Sequence, residues 1–83
     1  MGEIGFMNKK NSILSYYKEG SRRGNISILK GKNNNYQIII DWDDPQYNST
    51  MLFSGELQEC LDFSISRFGI SKQTMNSFYN KYF

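Results

Sequence analysis

Between Tyr36 and Trp42 the chain alternates Tyr36, Ile38, Ile40 and Trp42 against Gln37, Ile39 and Asp41, a period of two that predicts a strand with one buried face. Asn25 to Lys30 is rich in β-branched isoleucine, and Gly31 to Asn35 has the composition of a turn, so the two strands read as a hairpin. Asp43-Asp44-Pro45 ends the second of them, because proline cannot donate to a ladder and Asp favours local turns. Asn48 to Phe53 then predicts a third strand, returning antiparallel. From Gly55 the period changes: Leu57, Cys60, Leu61, Ser64, Ile65 and Phe68 share one helical face, with Ser54 as the cap, Glu56 in the positive first turn and Gly69 as the stop. Ser71 caps a last helix in which Met75, Phe78, Tyr79 and Tyr82 recur at three and four residues.

The start of the chain reads as helix too. Ile13, Tyr16 and Tyr17, with Leu14 beside them, stand at helical spacing between Asn8 or Asn11 as cap and Gly20 as terminator. Gly20-Ser21-Arg22-Arg23-Gly24, with glycine at both ends and no apolar residue, predicts a loop. The expected fold is a two-layer α+β domain of an N-terminal helix, a three-stranded antiparallel meander and two C-terminal helices, the helices packing on the Tyr36/Ile38/Ile40/Trp42 face. A chain of 83 residues is too short to divide its apolar side chains between two cores, so residues 1–83 are expected to form one domain, with residues 1–7 as a disordered N-terminal extension.

Composition narrows the chemistry. Hydrophobic residues at 39% and aromatic residues at 16% supply side-chain area for a core without a disulfide framework. Purely apolar runs such as Ile38 to Ile40 are far short of a membrane-spanning helix, and no membrane partner is expected. The chain has no histidine, which removes the commonest general base and the commonest metal ligand together. Its one cysteine, Cys60, can form no internal disulfide and no metal cluster, so the expectation is a reducing cytoplasm, no cofactor, no metal and no enzymatic activity. Glu3 and the lack of an apolar stretch after a basic start argue against a secretory signal, and Phe6 stands where a myristoylation motif needs Ser or Thr.

The net charge of +2 conceals an uneven distribution. Residues 1–32 carry seven basic and two acidic side chains, net +5, and the remainder carries three basic and six acidic ones, net −3. Such a division can steer a charged partner if it survives folding.

Four groups are candidates for function. Asp41-Trp42-Asp43-Asp44 begins like a calcium loop, but Gln46 stands where the loop needs Gly and Leu52 where it needs a bidentate Glu, which leaves an acidic turn or contact patch. On the first C-terminal helix Glu56, Glu59 and Asp62 fall away from the apolar stripe, with Phe63 beside Glu59, an arrangement that can anchor a protein interface or imitate nucleic-acid charge. Lys18, Arg22, Arg23, Lys30 and Lys32 form the strongest nucleic-acid signal, with Tyr16 or Tyr17 as a stacking surface. Cys60, between Leu57 and Leu61, reads as a small buried thiol rather than a nucleophile.

Helix, three strands and helix is similar to the element order of double-stranded RNA-binding domains. Where that family carries a basic cluster this chain reads Gly55-Glu56-Leu57-Gln58-Glu59, so the similarity is one of topology alone. The small, histidine-free composition rich in Asn, Lys and Ile resembles that of proteins encoded by phages and mobile elements of AT-rich bacteria, among them anti-CRISPR, other anti-defence and immunity proteins. The expected function is a non-enzymatic protein-binding module, an inhibitor or accessory factor that blocks a larger, nucleic-acid-processing protein sterically or by acidic mimicry. Its contacts would be Asp41, Asp43, Asp44, Glu56, Glu59, Asp62 and Phe63, provided the strand end and the helix start lie together. The alternative is a nucleic-acid-binding accessory protein using the basic first third of the chain. Homodimerisation through sheet edges is compatible with either.

Overall fold

A computed structural model describes residues 10–83, which form a four-stranded antiparallel sheet followed by two helices. The strands β1 (Lys10–Glu19), β2 (Arg22–Lys30), β3 (Tyr36–Trp42) and β4 (Thr50–Gly55) follow one another across the sheet as a meander. The helices are α1 (Leu57–Phe68) and α2 (Lys72–Tyr82). Residues 1–7, expected as an extension, lie outside the described residues.

The expected N-terminal helix and three-stranded meander are therefore corrected. Residues 10–19 form a strand, and no helix precedes the sheet among the described residues. The physical reason lies in the pairing of β1 with β2: Asn11 faces Ile28, Leu14 faces Ile26 and Tyr17 faces Gly24, with register shifts between Ser12 and Leu14 and between Leu14 and Tyr17. Each bulge inserts one extra residue into β1, so same-face positions recur at three residues instead of two. Two bulges in succession counterfeit the spacing of a helix. The expected loop from Gly20 to Gly24 shrinks to a two-residue turn in which Gly20 takes φ 63, while Arg22, Arg23 and Gly24 belong to β2. With the first helix gone, the similarity of element order to double-stranded RNA-binding domains goes as well.

The core sits between the sheet and α1. Ile26, Ile28, Ile38 and Ile40 are fully buried on the two central strands, where Ile26 pairs with Ile40 and Ile28 with Ile38. Burying each such side chain contributes about 1.5–3 kcal/mol. Gly24 lies between Tyr17 on one side and Trp42 on the other, and a Cβ there would meet the Asp41 carbonyl oxygen at 2.8 Å, so only glycine admits this close approach of β3. The opposite face of the sheet is more polar: Ser12 donates to Asn25 and Asn25 donates to the buried Ser27, at 2.7 and 2.9 Å.

Cys60, Leu61 and Ser64 are the buried residues of α1, and Ser64 donates to the Cys60 carbonyl at 2.9 Å. Its N-terminus is closed by a capping box between Glu56 and Glu59, not by Ser54, whose hydroxyl accepts from Asn35. Its other end stops at Gly69 in the left-handed conformation, φ 69. An aromatic row fixes the helix across the sheet: Phe53 of β4 stacks on Phe63 at 4.6 Å, Phe63 meets Phe68 edge-on at 6.0 Å, and Phe68 meets Tyr17 of β1 at 5.3 Å. Thus α1 runs diagonally from the last strand to the first. Ser71 caps α2 by accepting from the Thr74 amide at 3.1 Å, and Met75 and Phe78 turn into the core.

Candidate functional site

The spacing that buries α1 also leaves part of it uncovered. Leu57, Leu61 and Ile65 follow one another at intervals of four along the helix, and only Leu61 is fully enclosed. Met75 and Tyr79 follow at the same interval on α2, Met75 buried and Tyr79 exposed. The short link Gly69-Ile70-Ser71 joins α1 to α2. Between these two ridges opens a groove of about 630 Å³. Its floor is apolar and its rim polar, with Gln58 and Asp62 on the α1 wall and Lys72 and Asn76 on the α2 wall. Gln58 donates to Asp62 at 3.0 Å, which orients the acidic wall. The groove thus combines an apolar centre with polar side chains of both signs beside it.

Of the sequence-derived contact residues, only Asp62 lines the groove. Glu56 and Glu59 are exposed on the same helix, one turn towards its start, where Glu59 accepts from the Glu56 amide at 2.9 Å. Phe63 is half-buried, stacked on Phe53. Asp41, Asp43 and Asp44 are elsewhere. Because Tyr36 pairs with Gly55 and Ile40 with Thr50, the end of β3 and the start of α1 occupy opposite ends of the sheet, about 20 Å apart over the length of β3. The acidic set is two groups, not one surface. Near Asp41 to Asp44 the carboxylates organise the loop: Ser49 donates to Asp41, and Asp44 accepts from Gln46 at 3.1 Å in a turn with Pro45 at its second position.

The basic set divides likewise. Arg22 and Arg23 are successive strand residues and project to opposite faces, Arg22 towards the helices and Arg23 beside Lys18 in the register. Lys30 pairs with Tyr36 at the other end of β2, and Lys32 lies in the turn beyond it. Tyr16 is 87% exposed, while Tyr17 packs on Phe68. Folding also brings opposite charges together: Ser21, Arg22, Arg23, Trp42, Asp43, Asp44 and Tyr47 line one corner cleft of about 320 Å³. There the Arg22 guanidinium lies 4.3 Å from the Trp42 ring and 5.0 Å from the Tyr47 ring. Basic residues from the first third of the chain and acidic residues from the remainder thus meet at one corner, so the charge division along the sequence does not become two separate faces after folding.

Burial, assisted by the neighbouring Glu59 carboxylate, pushes the Cys60 thiol up to about 11 from its ordinary value near 9. Its nearest acceptor is the Gly55 carbonyl at 3.7 Å, and it has the surroundings of a core side chain rather than an activated nucleophile. Among the described residues no three His, Cys, Asp or Glu side chains converge as metal ligands, and no helix is long and apolar enough to cross a membrane.

Sequence reading missed the groove and Tyr47. Spacing places Tyr79 on the apolar stripe of the last helix, and nothing in that spacing distinguishes a ridge that is covered from one that is not. Comparison with known proteins adds no relative: no family model matches the chain, and neither a curated protein nor a solved structure matches it.

Proposed function

We propose that the protein is a non-enzymatic protein-binding module that receives an amphipathic helix of a larger protein in the groove between α1 and α2, and acts as an inhibitor or accessory factor by occluding that helix. The observation that carries this reading is the groove lined by apolar residues of both helices, Leu57/Leu61/Ile65 and Met75/Tyr79, with Gln58, Asp62, Lys72 and Asn76 beside them. From Leu57 to Ile65 is about two helical turns, or about 12 Å, the length over which an inserted helix presents anchors at i, i+4 and i+7. Asp62 on one wall and Lys72 on the other favour an occupant with basic side chains along one flank and acidic side chains along the other. Acidic mimicry would then rest on Glu56, Glu59 and Asp62 alone. A reducing cytoplasm suits a module whose only thiol is free and buried.

The test is a tagged pull-down from lysate of the source cells, with nuclease and without, comparing the native chain with Asp62→Lys/Tyr79→Ala. Both substituted side chains are exposed, so the fold should persist, as circular dichroism would verify. A stoichiometric protein that survives nuclease and is lost from the double variant supports the reading. Equal capture by the variant removes the groove from it, and recovery of nucleic acid that carries all associated protein would move the function to Lys18, Arg22, Arg23, Lys30 and Lys32.

A further inference from the structure

The two outer edges of the sheet are built differently. β1 is bulged twice and carries Lys18 and Glu19, devices that discourage a further strand from pairing. β4, Thr50-Met51-Leu52-Phe53-Ser54-Gly55, holds no charged residue and no proline, and its pairing with β3 shifts register once, between Ile38 and Ile39. Among the described residues its backbone hydrogen bonds within the sheet come from β3 alone, so its outward N–H and C=O groups face away from the sheet. Met51 is 54% exposed on the face opposite the helices, where it completes the in-register row Ser12, Ser27, Ile39 and Met51.

We propose that β4 pairs antiparallel with β4 of a second copy of this chain, joining two sheets into one of eight strands. A second copy is the occupant that the edge fits best, because two-fold antiparallel pairing sets one uncharged segment against itself and brings no like charges together. The axis stands perpendicular to the sheet, between Leu52 and Phe53, so both Met51 side chains lie on the same face and each sits beside Ser54 of the other copy. Both α1–α2 grooves then open on the opposite face, free to bind, and the dimer stands or falls independently of the groove reading. Six paired residues bury less than the roughly 1,200 Å² at the lower limit of stable interfaces, so the dimer is reversible and concentration-dependent.

Sedimentation equilibrium of the untagged chain over a wide concentration range tests this, together with Met51→Lys and, on the other edge, Tyr16→Lys. The native chain should rise from 9.7 kDa towards twice that mass. Met51→Lys should weaken association about tenfold or more by placing like charges near the axis, while Tyr16→Lys leaves it unchanged. Amide exchange of the native chain should slow in β4, and not in β1, as concentration rises, a readout that requires no variant to fold. A native chain monomeric at every concentration, association unaffected by Met51→Lys in a folded variant, or concentration-dependent protection in β1 instead of β4 would each overturn the proposal.

Discussion

The guanidinium carbon of Arg22 lies over two rings at once, 4.3 Å from the centroid of Trp42 and 5.0 Å from that of Tyr47. This contact joins the start of β2 to the end of β3 and to the loop before β4. Its aromatic partners come from a strand end and from an irregular loop.

Replacing Arg22 by Ala should cost about 1 kcal/mol, and Arg22→Lys should recover only part of it, since an ammonium cannot stack as a planar guanidinium does. Trp42 is the chain's only tryptophan, so its emission should shift towards that of exposed indole in the Ala variant. Urea titrations of the three chains would measure the energies.

Gly24→Ala tests the close approach of β2 and β3. The added methyl would stand 2.8 Å from the Asp41 carbonyl oxygen and 3.0 Å from the Ile40 side chain, so backbone must move. A loss of about 1–3 kcal/mol is expected, read from the shift in denaturation midpoint at constant slope.

Phe63→Ala should destabilise the isolated protein by about 3 kcal/mol, because it removes the middle member of the stack from Phe53 to Phe68. Asp62→Ala, one residue earlier and exposed, should change stability by less than about 0.5 kcal/mol. Thermal unfolding without any partner separates packing from binding at these adjacent positions; equal midpoints for the two variants would contradict the arrangement.

Cys60 should react slowly with a thiol reagent in the folded chain and rapidly after unfolding. Its raised value also links stability to pH. Below about 9 the thiol is protonated both folded and unfolded and contributes no slope; between about 9 and 11 the unfolded chain loses the proton first, so stability falls as pH rises. The slope reaches at most about 1.4 kcal/mol per pH unit. Tyrosines ionise in the same window, so the informative quantity is the difference between the native chain and Cys60→Ala, whose decline should be shallower.

Much of the fold could be read from local signals. The alternation of Tyr36 to Trp42, the stop at Gly69 and the cap at Ser71 all act within a few residues of themselves, and the structure has each where the chain marks it. Glu56 and Glu59 satisfy each other so well that Ser54 is left to bond Asn35 across the turn. The first strand was illegible because its two bulges stretch the period of same-face residues from two to three, so that Leu14 and Tyr17 share a face at the spacing of a helix. The candidate site was less legible still. Whether Asp43 lies near Glu56 or near Arg22 depends on which strand ends meet, and the register of four strands, not the composition of any one, decides it.

The contact of Tyr17 with Phe68 joins the first strand to the end of α1, across about two thirds of the described chain, whereas every strand pairing joins neighbours in sequence. A meander of successive hairpins closes only short loops as it forms, so the rate at which the sheet assembles should owe little to the end of α1. Phe68 would reach Tyr17 after the main barrier and act as a latch on a finished structure. Shortening it to Leu should therefore leave the refolding arm of a chevron nearly unchanged and steepen the rate of escape, which makes the lifetime of the native state, more than the ease of reaching it, the property that this one ring contact governs.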